Sequence, residues 1–327
     1  MKRSLLTCVV ALPLIALLGS PLAAEVKTRE KSLIKFEGML GRVVGLFGGK
    51  AAKEGIVSTT AVKGNRKIST TDSTGQIVDL GEEKVYDIDF KKKEYRVTTF
   101  EELRQRMKEA QEKAKKDMER EQGREQEKPE QPQKEYEFDF DVKETGQHKQ
   151  LAGHDAREVI MTVTVREKGK TLEQGGGFVM TADSWLGPDL PALKELADFQ
   201  MRYYKQLYGG DAMGMAAEQM AMVMAMYPML GKASERLKQE GSTLQGTALA
   251  TTTTFEVVRT KEQMDAAAEQ QKDSGGGIGG MLARKMMKKE EPKARATVFT
   301  MDHEFQDVST TVAAGDLEIP AGFKEKK

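Results

Sequence analysis

The chain of 327 residues lacks most of the side chains on which enzyme sites depend. It contains one cysteine, Cys8, and three histidines, His148, His154 and His303. Cys8 lies in a predicted signal peptide, so the remaining chain has no thiol for a disulfide, a metal site or a nucleophile. The histidines fall in no HExxH motif and in no pair with metal-ligand spacing. We therefore predict that the protein is not an enzyme and uses no cofactor.

An excess of either charge is also absent. The sequence has 51 Lys and Arg residues and 51 Asp and Glu residues. Two of the basic residues, Lys2 and Arg3, belong to the predicted signal peptide, which leaves 49 basic and 51 acidic residues. Nucleic acids attract strongly basic surfaces, so we expect no nucleic-acid partner.

The longest apolar run stands at the N-terminus and is short. It extends over fourteen residues from Leu5 to Leu18, fewer than the roughly 20 that a membrane-spanning helix needs. Lys2 and Arg3 precede it, and small residues ending at Ala24 follow it. We interpret residues 1–24 as a signal peptide and expect a protein that is exported, periplasmic or secreted, and soluble after cleavage. An uncleaved membrane anchor is the alternative.

Apolar residues make up 39% of the chain, which predicts a core and sizeable segments outside it. One such segment is residues 101–135, which begin "EELRQRMKEAQEKAKK". We predict a charged, solvated helix that continues into a disordered connector. A segment of this composition buries too little apolar surface to offset the entropy lost on ordering.

A second polar segment, residues 272–293, is rich in glycine and lysine and is predicted to be a loop. Its basic residues alternate with methionine and leucine, so they could lie on anionic lipid headgroups. The residues of this membrane-surface hypothesis are Arg284, Lys285, Lys288 and Lys289. The alternative is an ordinary solvated loop.

On either side of the connector, apolar residues recur at every second position, which is typical of half-buried strands. Tyr86 and Ile88 alternate with acidic residues before the turn "KKKE", which predicts a hairpin. Later strands carry "YEFDFDV" and "VIMTVTV". We predict an α+β fold, mainly antiparallel β, in which residues 25–327 form a single domain. Its sheet is expected to be curved or an incomplete barrel, with helices packed on or over the concave face.

A helix is predicted after "DSWLGPDLP", and a methionine-rich helix follows it. The first carries one apolar stripe at helical spacing, from Leu193 through Phe199 to Leu207. The second, "MGMAAEQMAMVMAMYPML" from Met213 to Leu230, is apolar almost all round. Its methionines are Met213, Met215, Met220, Met222, Met224, Met226 and Met229.

Three interpretations of the methionine helix stay open. It could pack within the sheet as ordinary core, or it could be an adjustable lid over an apolar cavity, because methionine fills irregular gaps. Alternatively, Met222, Met226 and Met229 are spaced to present three thioethers to Cu(I).

Four stretches carry a resemblance to a known family. They are "DLGEEKVYDIDFKKKEYRVTTFEEL", "GHDAREVIMTVTV", "ADSWLGPDLPALKELADFQ" and "LEIPAGFK". Together they resemble a secreted bacterial family known mainly as a domain of unknown function. That family is similar in pattern to the periplasmic lipoprotein-carrier (LolA-like) fold, an open antiparallel barrel whose concave face holds an acyl chain behind helices.

The resemblance implies a non-enzymatic protein that binds an acyl chain, a lipoprotein or another apolar ligand. The charged connector, the methionine helix and the glycine-rich loop are departures from the family's pattern. A structural or interaction protein of the cell envelope, whose core is filled by its own side chains, is the alternative.

Overall fold

A computed structural model describes residues 25–38, 41, 44, 49–122, 135–226, 244–265 and 293–326. For residues 114, 115, 118–122 and 210–226 it describes the backbone alone. The predicted signal peptide, most of the connector and most of the glycine-rich loop lie outside the described residues.

The described strands all belong to one twelve-stranded sheet. They are β1 (Glu25–Phe36), β2 (Ile56–Lys63), β3 (Arg66–Thr70), β4 (Thr74–Asp79), β5 (Lys84–Asp89), β6 (Glu94–Thr99), β7 (Tyr136–Leu151), β8 (His154–Glu167), β9 (Gly177–Gly187), β10 (Thr247–Val258), β11 (Arg295–Ser309) and β12 (Lys324–Glu325). Their order is β12-β6-β5-β4-β3-β2-β1-β11-β10-β9-β8-β7, so the sheet is open. Only the short pair β12 and β6 is parallel. The prediction of a mainly antiparallel α+β fold is confirmed at this level.

The described helices are α1 (Gly49–Glu54), α2 (Phe100–Gln122), α3 (Leu172–Gly175) and α4 (Pro191–Met226), with a 3-10 turn at Ala314–Leu317. Helix α4 is interrupted at Gly209, whose φ of 74° and ψ of 178° are not helical. A positive φ of this kind favours glycine, because it has no Cβ. The predicted methionine-rich helix, from Met213 to Met226 as far as it is described, forms the second part of α4. None of the helices in the described chain is long and apolar enough to span a membrane.

Strands β1 to β6 are covered on both faces. Neighbouring residues point to opposite faces of a strand, and Val62 and Ala61 accordingly belong to different buried clusters. The first cluster joins the sheet to α2 and α4 and contains Val26, Val62, Val78, Leu80, Val85, Phe100, Phe199 and Leu207. The second joins the sheet to the C-terminal segment and contains Ala61, Ile68, Ile77, Tyr86, Ile88, Val312 and Leu317. We call the side of the sheet that carries the first cluster the helix face.

The predicted apolar stripe of α4 is the part of the helix that contacts this cluster. Phe199 and Leu207 are buried in it, and Leu193, Leu196 and Tyr203 pack against it. The ring of Tyr203 lies 5.4 Å from the ring of Phe100, centroid to centroid, which ties α4 to the start of α2.

After cleavage of the connector, the two fragments are expected to stay associated. We expect limited proteolysis to cut between residues 120 and 134, where the sequence is most polar. The two fragments would still be joined, because β1 pairs with β11 from Lys27 to Phe36. Gel filtration of the nicked protein should therefore give one peak that contains both fragments. Their separation without denaturant would contradict a sheet shared between them.

Candidate functional site

The helix face continues from β1 across β11, β10, β9, β8 and β7, and there it is apolar. Two rows of side chains cross these six strands in register. The first row is Phe36, Phe299, Phe255, Met180, Val163 and Phe140. The second is Ile34, Met301, Thr253, Ala182, Met161 and Val142. We call these two rows, together with Phe178, the apolar face.

Four phenylalanine rings, which we call the phenylalanine ladder, follow one another along this face. The centroids of Phe178 and Phe255 are 5.6 Å apart, those of Phe255 and Phe299 are 5.4 Å apart, and those of Phe299 and Phe36 are 6.3 Å apart. These spacings lie within the range in which aromatic rings attract one another. The phenylalanine ladder therefore gives β9, β10, β11 and β1 a continuous aromatic surface.

The apolar face is much more exposed than the core under α4. Phe178 is 43% exposed, Ile34 is 45% exposed and Met301 is 41% exposed, whereas Val62 is 0% exposed. Exposed apolar side chains that lie together over several strands are typical of a surface that contacts a ligand or a partner. This face is the strongest candidate site in the described part of the chain.

A polar row borders the apolar face on the side toward the α4 cluster. It contains Ser32, His303, Thr251 and Ser184, which pair across β1, β11, β10 and β9. The hydroxyls of Ser184 and Thr251 lie 3.2 Å apart, within hydrogen-bonding distance. A ligand on the apolar face would meet this row at its margin.

Glu30 lies next to the polar row, on the same face of β1. His303 Nε2 lies 2.9 Å from one carboxylate oxygen of Glu30, and Ser58 Oγ donates to the other over 3.2 Å. The hydrogen bond from His303 lowers the pKa of Glu30, the bond from Ser58 adds to this, and partial burial opposes both. A carboxyl with a lowered pKa is ionised at neutral pH.

The arrangement of these three residues differs from that of a serine hydrolase. In such a site the histidine contacts the serine and activates it. Here Glu30 stands between the other two residues and accepts a hydrogen bond from each. The cluster is suited to binding a polar group rather than to activating Ser58 as a nucleophile.

The opposite face of strands β7 to β10 is polar. Arg166 forms ion pairs with Asp139 at 2.9 Å and with Glu137 at 3.1 Å. The ammonium of Lys149 lies 3.9 Å from the centre of the Trp185 ring. Strands β7 to β10 therefore have one mainly apolar face and one mainly polar face, as the alternation in their sequences predicts.

Replacement of Asp183 on this polar face by asparagine is expected to raise the melting temperature at neutral pH. Burial raises the pKa of the Asp183 carboxyl, Glu158 raises it further and Lys149 opposes the shift. A raised pKa means that the folded state binds the proton more tightly than the unfolded state, so ionisation of Asp183 destabilises the fold.

The asparagine side chain resembles the protonated form of Asp183. The variant is therefore expected to melt higher only at a pH at which the wild-type carboxyl is ionised. Asp183→Asn should melt above the wild type at about pH 7 and together with it at about pH 3, below the pKa of an aspartate in the unfolded chain. Thermal melting followed by circular dichroism measures both differences. A wild type that is the more stable protein at neutral pH would contradict the expectation.

Two surface clefts lie near the β1 to β5 half of the sheet, and most of the residues that line them have polar side chains. The first, of about 380 Å³, is lined by hydroxyls and acids that include Ser58, Ser69 and Asp87. The second, of about 420 Å³, is lined by Lys27 and Asp316 among others. Neither cleft is lined by residues of the apolar face.

The residues of the methionine-lid hypothesis are only partly described. Met213, Met215, Met220, Met222, Met224 and Met226 lie in the second part of α4, where the backbone alone is described. Met229 and the basic residues Arg284, Lys285, Lys288 and Lys289 lie outside the described residues. The lid, the Cu(I) site and the membrane-surface hypothesis therefore stay predictions.

Two of the three histidines flank a hairpin turn. His148 is in β7 and His154 is in β8, and the turn between the strands is Ala152 and Gly153. His148 Nδ1 lies 2.9 Å from an Asp155 carboxylate oxygen, and both side chains are exposed. Within the described ranges, no group of three or more His, Cys, Asp or Glu side chains could hold a metal ion.

Sequence reasoning missed the phenylalanine ladder and the contact of Glu30 with His303. The register that places Phe255 beside Phe299 cannot be read from the sequence of either strand. Glu30 and His303 are 273 residues apart in the chain, so no local pattern joins them.

No family model, no curated protein and no solved structure matches the chain.

Proposed function

We propose that this is a non-enzymatic exported protein that binds an acyl chain or another apolar ligand on the apolar face. The observation that carries the proposal is the phenylalanine ladder with its neighbouring rows, which stays half-exposed at Phe178, Ile34 and Met301. Burial of these side chains against a ligand would remove apolar surface from water, at about 25 cal/mol per Å².

The size of the face suits a long hydrocarbon chain. Neighbouring strands lie about 4.8 Å apart, so a row across six strands is about 24 Å long. The hydrocarbon core of a bilayer is about 30 Å thick and contains two acyl chains end to end, so one chain is about 15 Å long. A single acyl chain therefore fits within the two rows.

The proposal includes a curved sheet whose apolar face is concave, with the second part of α4 as its cover. The break at Gly209 separates that part from the buried stripe of α4, so its direction is not set by the helical register of the first part. Methionine side chains adapt to ligands of different shape, which suits a cover over a variable chain.

Titration with a fluorescent apolar probe tests the proposal. The purified chain without residues 1–24 is titrated with N-phenyl-1-naphthylamine, and the bound probe is then displaced by straight-chain alcohols. We expect saturable binding and a gain in alcohol affinity of about fourfold per added CH2, the equivalent of about 0.8 kcal/mol.

The alternatives predict different results. A structural or interaction protein with a self-filled core would give no saturable probe signal. Surface adsorption would give a signal that rises linearly with probe concentration and does not saturate. Either result would overturn the proposal.

A further inference from the structure

The polar row at the margin of the apolar face presents hydrogen-bonding groups. These groups determine which head group a bound amphiphile can have. Ser32 and His303 stand two residues along their strands from Ile34 and Met301. Two residues of a strand extend over about 6.6 Å. The polar head of an amphiphile whose chain lies on Ile34 and Met301 is therefore within reach of His303 and Glu30.

The acidic group at the β1 end of this margin is Glu30. On β7 the same row reaches Glu144, which forms an ion pair with Arg157 at 3.0 Å. Among the described side chains on the helix face of β9 to β11 and β1, from Glu30 to Phe36 and at the positions opposite that segment, only Glu30 and His303 have ionisable groups. Neither lysine nor arginine occurs in this set. A carboxylate or phosphate head group would approach the ionised Glu30 without a lysine or arginine of this set to compensate its charge.

The remaining hydrogen-bonding capacity of the cluster is that of an acceptor. An ionised carboxylate has about four lone-pair positions, of which His303 and Ser58 occupy one each. In the tautomer of His303 that donates from Nε2 to this carboxylate, Nδ1 is an acceptor. Ser58 uses its only proton on Glu30, which leaves its oxygen as an acceptor as well.

We propose that Glu30 and His303 select amphiphiles whose head group donates hydrogen bonds and carries no negative charge, such as a long-chain alcohol or a long-chain ammonium. This inference rests on the proposed binding of an apolar chain. It adds that a free fatty acid is a poor ligand although its chain is the same.

Three probes with one chain length separate the head groups. Dodecanol, dodecylammonium and laurate compete with N-phenyl-1-naphthylamine for the wild-type chain, each below its micelle concentration. We expect the alcohol and the ammonium to displace the probe at concentrations at least tenfold lower than laurate does.

A variant pair assigns this preference to Glu30. Glu30→Gln should improve the affinity for laurate at least fivefold and change that for dodecanol less than twofold. The matched control is Glu304→Gln, which removes the same charge from an exposed position on the opposite face of β11. The control should leave the order of the three ligands unchanged.

The outcomes distinguish the two proposals. If laurate binds as tightly as dodecanol to the wild type, the head-group inference is wrong and the apolar-ligand proposal stands. If the wild type shows no saturable probe binding, the proposed function itself is wrong. The wild-type ranking decides the question even if Glu30→Gln fails to fold.

Discussion

Replacement of Phe199 by alanine is expected to lower the free energy of unfolding by about 3–5 kcal/mol, the usual cost of removing a buried phenylalanine. Phe199 is 0% exposed and lies in the cluster that joins α4 to β1, β2 and β4. Lys67 Nζ is 5.8 Å from the centre of its ring, so the cavity would also remove a partner of this cation.

Met201→Ala is the matched control, since Met201 lies two residues further along the same helix and is 52% exposed. Urea unfolding followed by the fluorescence of Trp185, the only tryptophan, measures both variants. We expect a change within about 0.5 kcal/mol for the control. Equal changes in the two variants would show that α4 does not depend on the sheet for its position.

The second large effect is expected at the centre of the phenylalanine ladder. Phe255→Lys places an ammonium between Phe178 and Phe299, where an apolar chain would lie. Transfer of a charged group away from water costs several kcal/mol unless it finds a partner. We therefore expect the affinity for N-phenyl-1-naphthylamine to fall at least tenfold.

Thr254→Lys is the control for this substitution, because it adds the same charge to the same strand on the opposite face. Its probe affinity should stay within about twofold of that of the wild type. Thermal melting of both variants separates a loss of binding from a loss of folding. Equal affinity in Phe255→Lys and Thr254→Lys would place the ligand elsewhere.

Some parts of this fold can be predicted from short segments of sequence. The stripe on α4 and the hairpin of β5 and β6 were predictable because their patterns repeat within about ten residues. Leu193 and Phe199 lie on one side of a helix by spacing alone, and Tyr86 and Ile88 share one face of a strand in the same way.

Strand β1 was missed because its sequence, "EVKTREKSLIKF", is charged like a solvated segment. The structure places it in the middle of the sheet and neutralises its charges with distant partners. Lys27 contacts Asp316 at 2.7 Å, and Lys35 contacts Asp302 at 3.1 Å. A partner more than 250 residues away leaves no local pattern, so neither β1 nor the Glu30 cluster could be predicted from the sequence around it.

The position of β1 also limits when the centre of the sheet can form during folding. The first described strand pairs with β11, whose residues end at Ser309, so the centre of the sheet cannot form until nearly the whole chain is available. Contacts of such high sequence separation close long loops and slow folding. Strand β11 is the only link in the described sheet between β1 to β6 on one side and β7 to β10 on the other. In this topology the two halves of the sheet can therefore join only through a strand that comes after both of them in the chain.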